Sequence, residues 1–237
     1  MVNILNLESS TEVCSVALWS EGKLAAIMED TEGMNHARLM ASYIQEVMRK
    51  GNTDFKSLSA VAVSEGPGSY TGLRIGVSLA KGLCYAHQIP LIAVSPLQAM
   101  TDHIIASRKQ LKLSDSENLI FCPMIDARRM EVYMAMYDHQ NQEIESVGAR
   151  IIEEDIFNEL LENHTLVFFG NGSEKISTVV RHPKAVFIHG IKTSAQFMCK
   201  LSVKAYKNKQ FADLAYFEPF YLKDFIAGIS KKNRLMS

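Results

Sequence analysis

Two carboxylates and one glycine-rich segment are the parts of this sequence best able to do chemistry. Glu8 ends an apolar run, Ile4–Leu7, and is followed by the polar turn Ser9-Ser10-Thr11-Glu12. Asp126 ends a second apolar run, Leu119–Ile125, and is followed by Ala127-Arg128-Arg129-Met130. A carboxylate at a strand tip can organise a hard cation such as Mg²⁺ through its oxygens. Gly66-Pro67-Gly68-Ser69-Tyr70-Thr71-Gly72 lies between them, where a buried strand gives way to a helix. Backbone N–H groups and a helix N-terminus at such a junction can hold an anion. Glu8, Ser10, Thr11, Gly66, Gly68, Ser69 and Asp126 are therefore the candidates for a nucleotide or anion cleft.

Two familiar phosphate motifs fail on spacing. The dinucleotide fingerprint needs a third glycine where Thr71 stands, and the P-loop needs Gly-Lys-Ser/Thr where the chain reads Gly72-Leu73-Arg74. Spacing equally permits a close-packed turn, with Gly66 and Gly68 supplying special backbone angles and Pro67 stiffening the bend. Glu8 and Asp126, if they face one another with nothing between, repel, which implies a cation, a water or a proton. The second hairpin has no glycine, so its side chains crowd a phosphate laid against the backbone.

Other chemistries lack their groups. No histidine pair stands at metal-binding spacing: His36 has Met40 four residues on, and His103, His182 and His189 are isolated. No H-E-x-x-H occurs, which excludes the metalloprotease reading. Cys14, Cys84, Cys122 and Cys199 stand far apart, against a zinc knuckle or redox pair and in keeping with a reducing cytosol. The net charge of −1 supplies no field toward nucleic acid, and a chain gripping tRNA alone needs a basic face. Lys231, Lys232 and Arg234 form the one basic cluster and read as a solvated tail. With no basic leader and no apolar run of membrane length, the expectation is a soluble, cytoplasmic protein with no membrane contact.

The elements that must carry these residues follow from periodicity. Ile4–Leu7, Val13–Trp19 and Leu24–Met28 read as an antiparallel meander. A helix over His36–Arg49 follows, with Met40, Tyr43, Ile44 and Val47 at helical spacing and Gly51 as its stop. Leu58–Ser64 reads as a buried strand, Thr71–Ala86 as a helix, Ile89–Val94 as a strand, and Ser95 or Pro96 as a further helix start. Residues 108–118 are polar and non-periodic and read as a linker. The plan then repeats. Strands at Leu119–Ile125 and Glu131–Tyr137 flank a carboxylate-tipped turn, and Leu166–Phe169 leads into Gly170-Asn171-Gly172. Duplication of this kind builds the two-lobed actin-like ATPase fold, with two ribonuclease-H-like mixed sheets flanked by helices. The expected lobes are 1–107 and 119–225, with a tail at 226–237.

The string from Val61 to Val77, Val-Ala-Val-Ser-Glu-Gly-Pro-Gly-Ser-Tyr-Thr-Gly-Leu-Arg-Ile-Gly-Val, closely resembles the signature of the TsaB (YeaZ) family. Similar stretches lie in register at Ile4–Leu18, His36–Met40, Ala80–Leu83, Ala93–Ser95 and Ile125–Tyr133, thinning later to Gly170–Gly172 and Glu218–Leu222. The resemblance implies a non-catalytic, glycoprotease-like partner of the TsaD subunit in N6-threonylcarbamoyladenosine modification of ANN-decoding tRNAs. It implies a heterodimer with TsaD, a cycle assisted by the ATPase TsaE, a homodimer when alone, and tRNA contact only through the complex. In TsaD-like proteins a His-x-x-x-His pair grips a metal; the matching positions here are Pro96 and Met100, so no metal and no catalytic residue carry over. ATP or ADP with Mg²⁺ at the partner interface is the one cofactor the resemblance leaves open. The alternative is a small-molecule kinase of the actin-like superfamily using Glu8 and Asp126; an independent tRNA-binding module is a third.

The helix at Thr71–Ala86 is apolar nearly all round, so it needs cover on more than one side. Gly72, Gly76 and Ala80 form a smooth stripe expected to face a partner. Leu73 and Val77 add apolar bulk, Arg74 a charged contact and Tyr70 an aromatic anchor. The neighbouring helix offers His36, Leu39, Met40, Tyr43 and Val47. In the family these two helices pack against their equivalents in TsaD.

Overall fold

A computed structural model describes residues 2–31, 33, 35–113 and 118–222. The expected linker residues 114–117 and the basic tail with Lys231, Lys232 and Arg234 lie outside the described residues.

The first half builds β1 (Ile4–Glu8), β2 (Cys14–Ser20), β3 (Lys23–Asp30), α1 (His36–Lys50), β4 (Ala60–Ser64), α2 (Tyr70–His87), β5 (Leu91–Val94) and α3 (Pro96–Ser107). The second builds β6 (Leu119–Asp126), β7 (Glu131–Tyr137), β8 (Glu143–Ile151), α4 (Asn158–Asn163), β9 (Thr165–Phe169), α5 (Ser173–Ile176), β10 (Ala185–Ile188) and α6 (Ala195–Lys207). The strands form two sheets, ordered β3-β2-β1-β4-β5 and β8-β7-β6-β9-β10. In each, the first three strands of the half are antiparallel neighbours and the last two join in parallel. The duplication expected from the two carboxylate-tipped hairpins is therefore a duplication of whole sheets, and the fold is the two-lobed actin-like α/β architecture.

Strand alternation sorts side chains onto two faces. Leu5, Leu7, Val61 and Val63 point to one side of the first sheet, where Met40, Ile44 and Val47 of α1 and Val77, Ala80 and Cys84 of α2 meet them. Ile4, Ala60, Ala62 and Ile92 point to the other side, where Met198 of α6 covers them. In the second sheet, Phe121, Ala135, Val167 and Phe169 meet Leu97, Met100 and Ile104 of α3. Cys122, Met134 and Phe168 face Leu161 of α4 and Ile176 of α5.

Two helices pack across the expected lobes. Helix α3, expected in the first lobe, lies on the second sheet, and α6, expected in the second, lies on the first. The two helices pack on one another between the sheets, with the His103 ring stacked 3.9 Å from that of Phe197. Each sheet has a second apolar face to cover, and the chain covers both by exchanging helices. The segment after α6 also returns to the first lobe: Ala212 N–H donates to Leu91 O at 2.9 Å, and Leu214 and Phe217 join the core under α2.

The inner side of α2 sets how close the helix comes to its sheet. A Cβ on Gly72 would collide with Ser9 O, and one on Gly76 with Ser9 Oγ. Around Gly82, six residues further along, no atom of the described residues lies within 4 Å of a Cβ position. These three glycines of one helix therefore respond differently to alanine. Gly72→Ala meets backbone and should lose about 2 kcal/mol of stability. Gly76→Ala meets a small rotatable hydroxyl and should change little, while Gly82→Ala should gain about 1 kcal/mol from helix propensity. Urea denaturation of the three variants checks the order; equal effects at Gly72 and Gly82 would contradict the inward placement.

Candidate functional site

The first-hairpin part of the cleft set turns inward, while Asp126 at the second hairpin is exposed. Glu8 is buried, and its Oε1 accepts from both the N–H and the hydroxyl of Ser10, each at 2.6 Å. Burial pushes the Glu8 carboxyl above its ordinary range, with the Ser10 hydrogen bonds working against it. Asp126 repeats the arrangement at the second hairpin, accepting from Arg128 N–H at 2.7 Å and from Lys175 Nζ at 2.6 Å. Thr11 Oγ1 bonds Thr193 Oγ1 at 2.8 Å, across to the approach of α6. Asn171 Nδ2 donates to Glu12 Oε2 at 2.9 Å, linking the two Gly-x-Gly and hairpin regions directly.

The glycine segment holds the chain's own backbone. Ser69 N–H donates to Ser10 O at 2.6 Å, and Ser69 Oγ caps α2 by accepting from Gly72 N–H at 3.3 Å. A Cβ on Gly68 would collide with Ser10 O, and one on Gly66, at φ +104°, would stand 2.7 Å from Phe220 O. Gly170, at φ +94°, packs in the same way on Met124 O in the second lobe. The glycines are small so that two segments of this chain can touch. Glu8, Ser10, Thr11, Gly66, Gly68 and Ser69 consequently do not fit a nucleotide phosphate with Mg²⁺, because the glycines close on the chain's own backbone and Glu8 on Ser10; Asp126, bonded through Oδ1, is the one member left exposed.

The positions of the metal pair are core. Pro96 and Met100 are buried, Met100 within the second-lobe cluster beside Phe121 and Phe169. Among the described residues, no three His, Cys, Asp or Glu side chains stand together to hold a metal. All four cysteines are buried free thiols. Burial pushes Cys84 up to about 11 and Cys14 and Cys199 up to about 12, so none is poised as a nucleophile.

Burial divides the expected partner face into an inner and an outer set. His36 is buried, its Nε2–H donating to Val13 O at 2.9 Å, and Met40, Val47, Gly72, Leu73, Gly76, Val77 and Ala80 are buried by their own chain as well. They cannot meet a partner, because the 100° step per residue carries the Gly72, Gly76, Ala80 stripe onto the sheet. Leu39, Tyr43 and Tyr70 are half-buried and Arg74 is exposed. The outward stripe of α2 is instead Thr71, Ile75, Ser78, Gly82 and Tyr85, recurring at four- and three-residue intervals. Thr71, Ser78, Gly82 and Tyr85 are exposed, Tyr85 to 82%. Ile75 in the stripe, and Leu79 of α2 and Leu39 and Tyr43 of α1 beside it, are covered only in part.

Ser78, Gly82 and Tyr85 escape a sequence reading that looks for apolar residues, since none of the first two is apolar in bulk. Their signal is a helix-interior glycine with no internal neighbour to explain it. Tyr221, which touches Arg74 from the end of the described chain, escapes too, because the two are far apart in sequence.

Comparison with known proteins bears on this fold. The sequence model of the family described as TsaD, tRNA N6-adenosine threonylcarbamoyltransferase, matches residues 30–231. The Escherichia coli (strain K12) protein named tRNA threonylcarbamoyladenosine biosynthesis protein TsaB is 27% identical over 233 residues, 95% of this chain and 96% of that one. The protein of the same name from Buchnera aphidicola subsp. Acyrthosiphon pisum is 31% identical over 162 residues, 68% of this chain and 69% of that one. A Pseudomonas aeruginosa crystal structure, described as an uncharacterized protein with similarity to peptidase YEAZ, superposes with a TM-score of 0.80 at 24% identity, over 94% of this chain and 100% of that one. With two duplicated sheets, a glycine segment packed on its own hairpin and similarity along the whole chain, the protein belongs to the TsaB (YeaZ) family, within the wider group that the TsaD model describes.

Proposed function

We propose that this chain is a non-catalytic subunit in the formation of threonylcarbamoyladenosine in tRNA, docking a TsaD-type catalytic subunit through the outer side of α1 and α2. The observation that carries the reading is Gly82. A glycine inside a helix costs about 1 kcal/mol relative to alanine, and no close approach among the described residues requires it. The site it leaves open is flanked by Ser78 and by the partly covered Ile75, Leu79, Leu39 and Tyr43. Small residues at the centre of such a stripe let a second helix come near, and the apolar flanks supply the desolvation that holds it.

Support for the non-catalytic half comes from the cleft. Glu8 and Asp126 hold their own turns, the glycines hold backbone, and Pro96 and Met100 stand where the TsaD-like metal pair is expected. Docking then acts by population: contacts available only in one arrangement of the catalytic subunit favour that arrangement. A TsaE-type ATPase as a third component, and a homodimer through the same stripe in the absence of TsaD, extend the proposal.

Gly82→Leu is the direct test. The variant should fold at least as stably as the parent, yet bind a TsaD-type subunit at least about thirtyfold more weakly, ~2 kcal/mol. Calorimetric titration measures it, and an unchanged Kd removes the docking face. A second test uses Glu8→Gln. In the parent, the raised carboxyl pKa means that stability is fully present below the unfolded value of 4.5 and falls as pH rises through the folded value. The glutamine should flatten that fall while leaving tRNA modification by the reconstituted complex unchanged. Loss of modification with docking intact would assign Glu8 a chemical role and defeat the non-catalytic reading.

A further inference from the structure

The segment after α6 is bound to α2 on the side away from α1. Lys81 Nζ donates to Ala215 O at 3.1 Å and to Phe217 O at 3.0 Å, and Phe220 N–H donates to Glu65 O at 2.7 Å. Lys81 and Arg74 are seven residues apart, two turns of helix, and so lie on one side of α2. The chain runs down that side as a strap, from Ala215 at Lys81 to Tyr221 at Arg74.

At its end three side chains lock together. The Arg74 guanidinium carbon sits 4.1 Å from the centre of the Tyr70 ring, and the Tyr221 ring lies 4.9 Å from that of Tyr70. Arg74 Nε–H donates to the Tyr221 hydroxyl at 3.4 Å. These contacts use one face and the Nε–H of the guanidinium. No contact between described residues engages its two Nη groups, and Arg74 is exposed. On the helix surface Arg74 neighbours Thr71 and Ser78 of the outward stripe, at three and four residues' distance.

We propose that Arg74 is a preorganised anchor for a carboxylate on the docking partner, and that Tyr221, delivered by the strap, is its positioning residue. The proposal rests on the docking reading given above. A free arginine side chain loses rotamer freedom when it binds; this one is ordered beforehand by a ring face and a hydroxyl. The two Nη groups keep the planar donor geometry that matches a carboxylate. A phosphate needs several cations, whereas the charged side chain that Arg74 interacts with electrostatically is the carboxylate Glu218, and Lys81 is taken by the strap carbonyls. At the rim of an apolar seam, such a charge fixes register and speeds encounter.

The test uses the full chain and the TsaD-type subunit of the same cell, with association kinetics followed at low and high salt. Arg74→Ala should weaken binding about tenfold and reduce the salt dependence of association, with the melting curve unchanged. Arg74→Lys should not restore affinity, because an ammonium has neither the fork nor the Nε–H. Tyr221→Phe should fall between parent and Arg74→Ala, and the Arg74→Ala, Tyr221→Ala pair should be no weaker than Arg74→Ala alone. Additive losses in the pair would overturn the positioning role of Tyr221. Parent-like affinity of Arg74→Ala, with Gly82→Leu still unable to dock, would overturn the anchor and spare the docking face; no docking by the parent chain would overturn both. Loss of the Arg74 effect in the presence of tRNA or inorganic polyphosphate would make the ligand a phosphate and overturn the carboxylate.

Discussion

The close contact of α2 with the turn after β1 is the constraint on which the rest of this molecule depends. Ser9 and Ser10 sit against Gly68, Gly72 and Gly76, and no residue with a Cβ can replace Gly68 or Gly72 without striking a backbone carbonyl. The contact fixes which side of the helix faces the sheet. It thereby decides which side is left over. A helix apolar nearly all round has to be covered on three sides, and here the sheet, α1 and the strap from Ala215 to Tyr221 each take one. The remaining side, with Ser78, Gly82 and Tyr85, is what the chain offers outward.

The same contact explains why a segment with the look of a phosphate site packs on its own chain instead. Anion cradles and close-packed turns use glycine for one reason, the absence of a Cβ near an approaching group. Only the identity of that group separates them. In this chain it is Ser10 O for Gly68 and Phe220 O for Gly66, both carbonyl oxygens, which would repel a phosphate rather than bind one. The second lobe repeats the device with Met124 O against Gly170. Duplication has preserved the packing of hairpin on Gly-x-Gly in both halves, and in both the carboxylate at the strand tip has become a turn-holding group.

Much of this is legible in the sequence, and the limit is instructive. Strands β1 to β5, β6, β7 and β9 and helices α1 to α3 announce themselves through period and punctuation, with ends displaced by a residue or two. Strand β8, polar along one edge of its sheet, and the four-residue β10 carry too little pattern to declare. Helix α6 does carry one, with Ala195, Met198, Cys199 and Ser202 buried at helical spacing, yet nothing local says which sheet it covers. The exchange of α3 and α6 between lobes is a long-range choice and is invisible to periodicity. The glycine stripe shows the sharper failure. Gly72, Gly76 and Gly82 look alike as letters, and only the position of Ser9 makes the first two internal.

That ambiguity bears on how the family signature should be understood. Most of the string from Val61 to Gly76 is committed to the fold: the strand is buried, Gly66 to Gly72 pack on the first hairpin, Ser69 caps the helix, and Leu73 and Gly76 face the sheet. Arg74 alone among its charged residues lies exposed beside the outward stripe and is fixed in place by rings from both ends of the chain's course, Tyr70 and Tyr221. A signature of this kind is therefore a statement about two surfaces at once. Its inner residues determine where α2 lies, and through that placement they determine what Arg74, Ser78 and Gly82 can reach. On the docking reading proposed above, a partner on the outer side is read by residues whose position was set on the inner one, so a change at Gly72 would disturb docking without ever touching the partner.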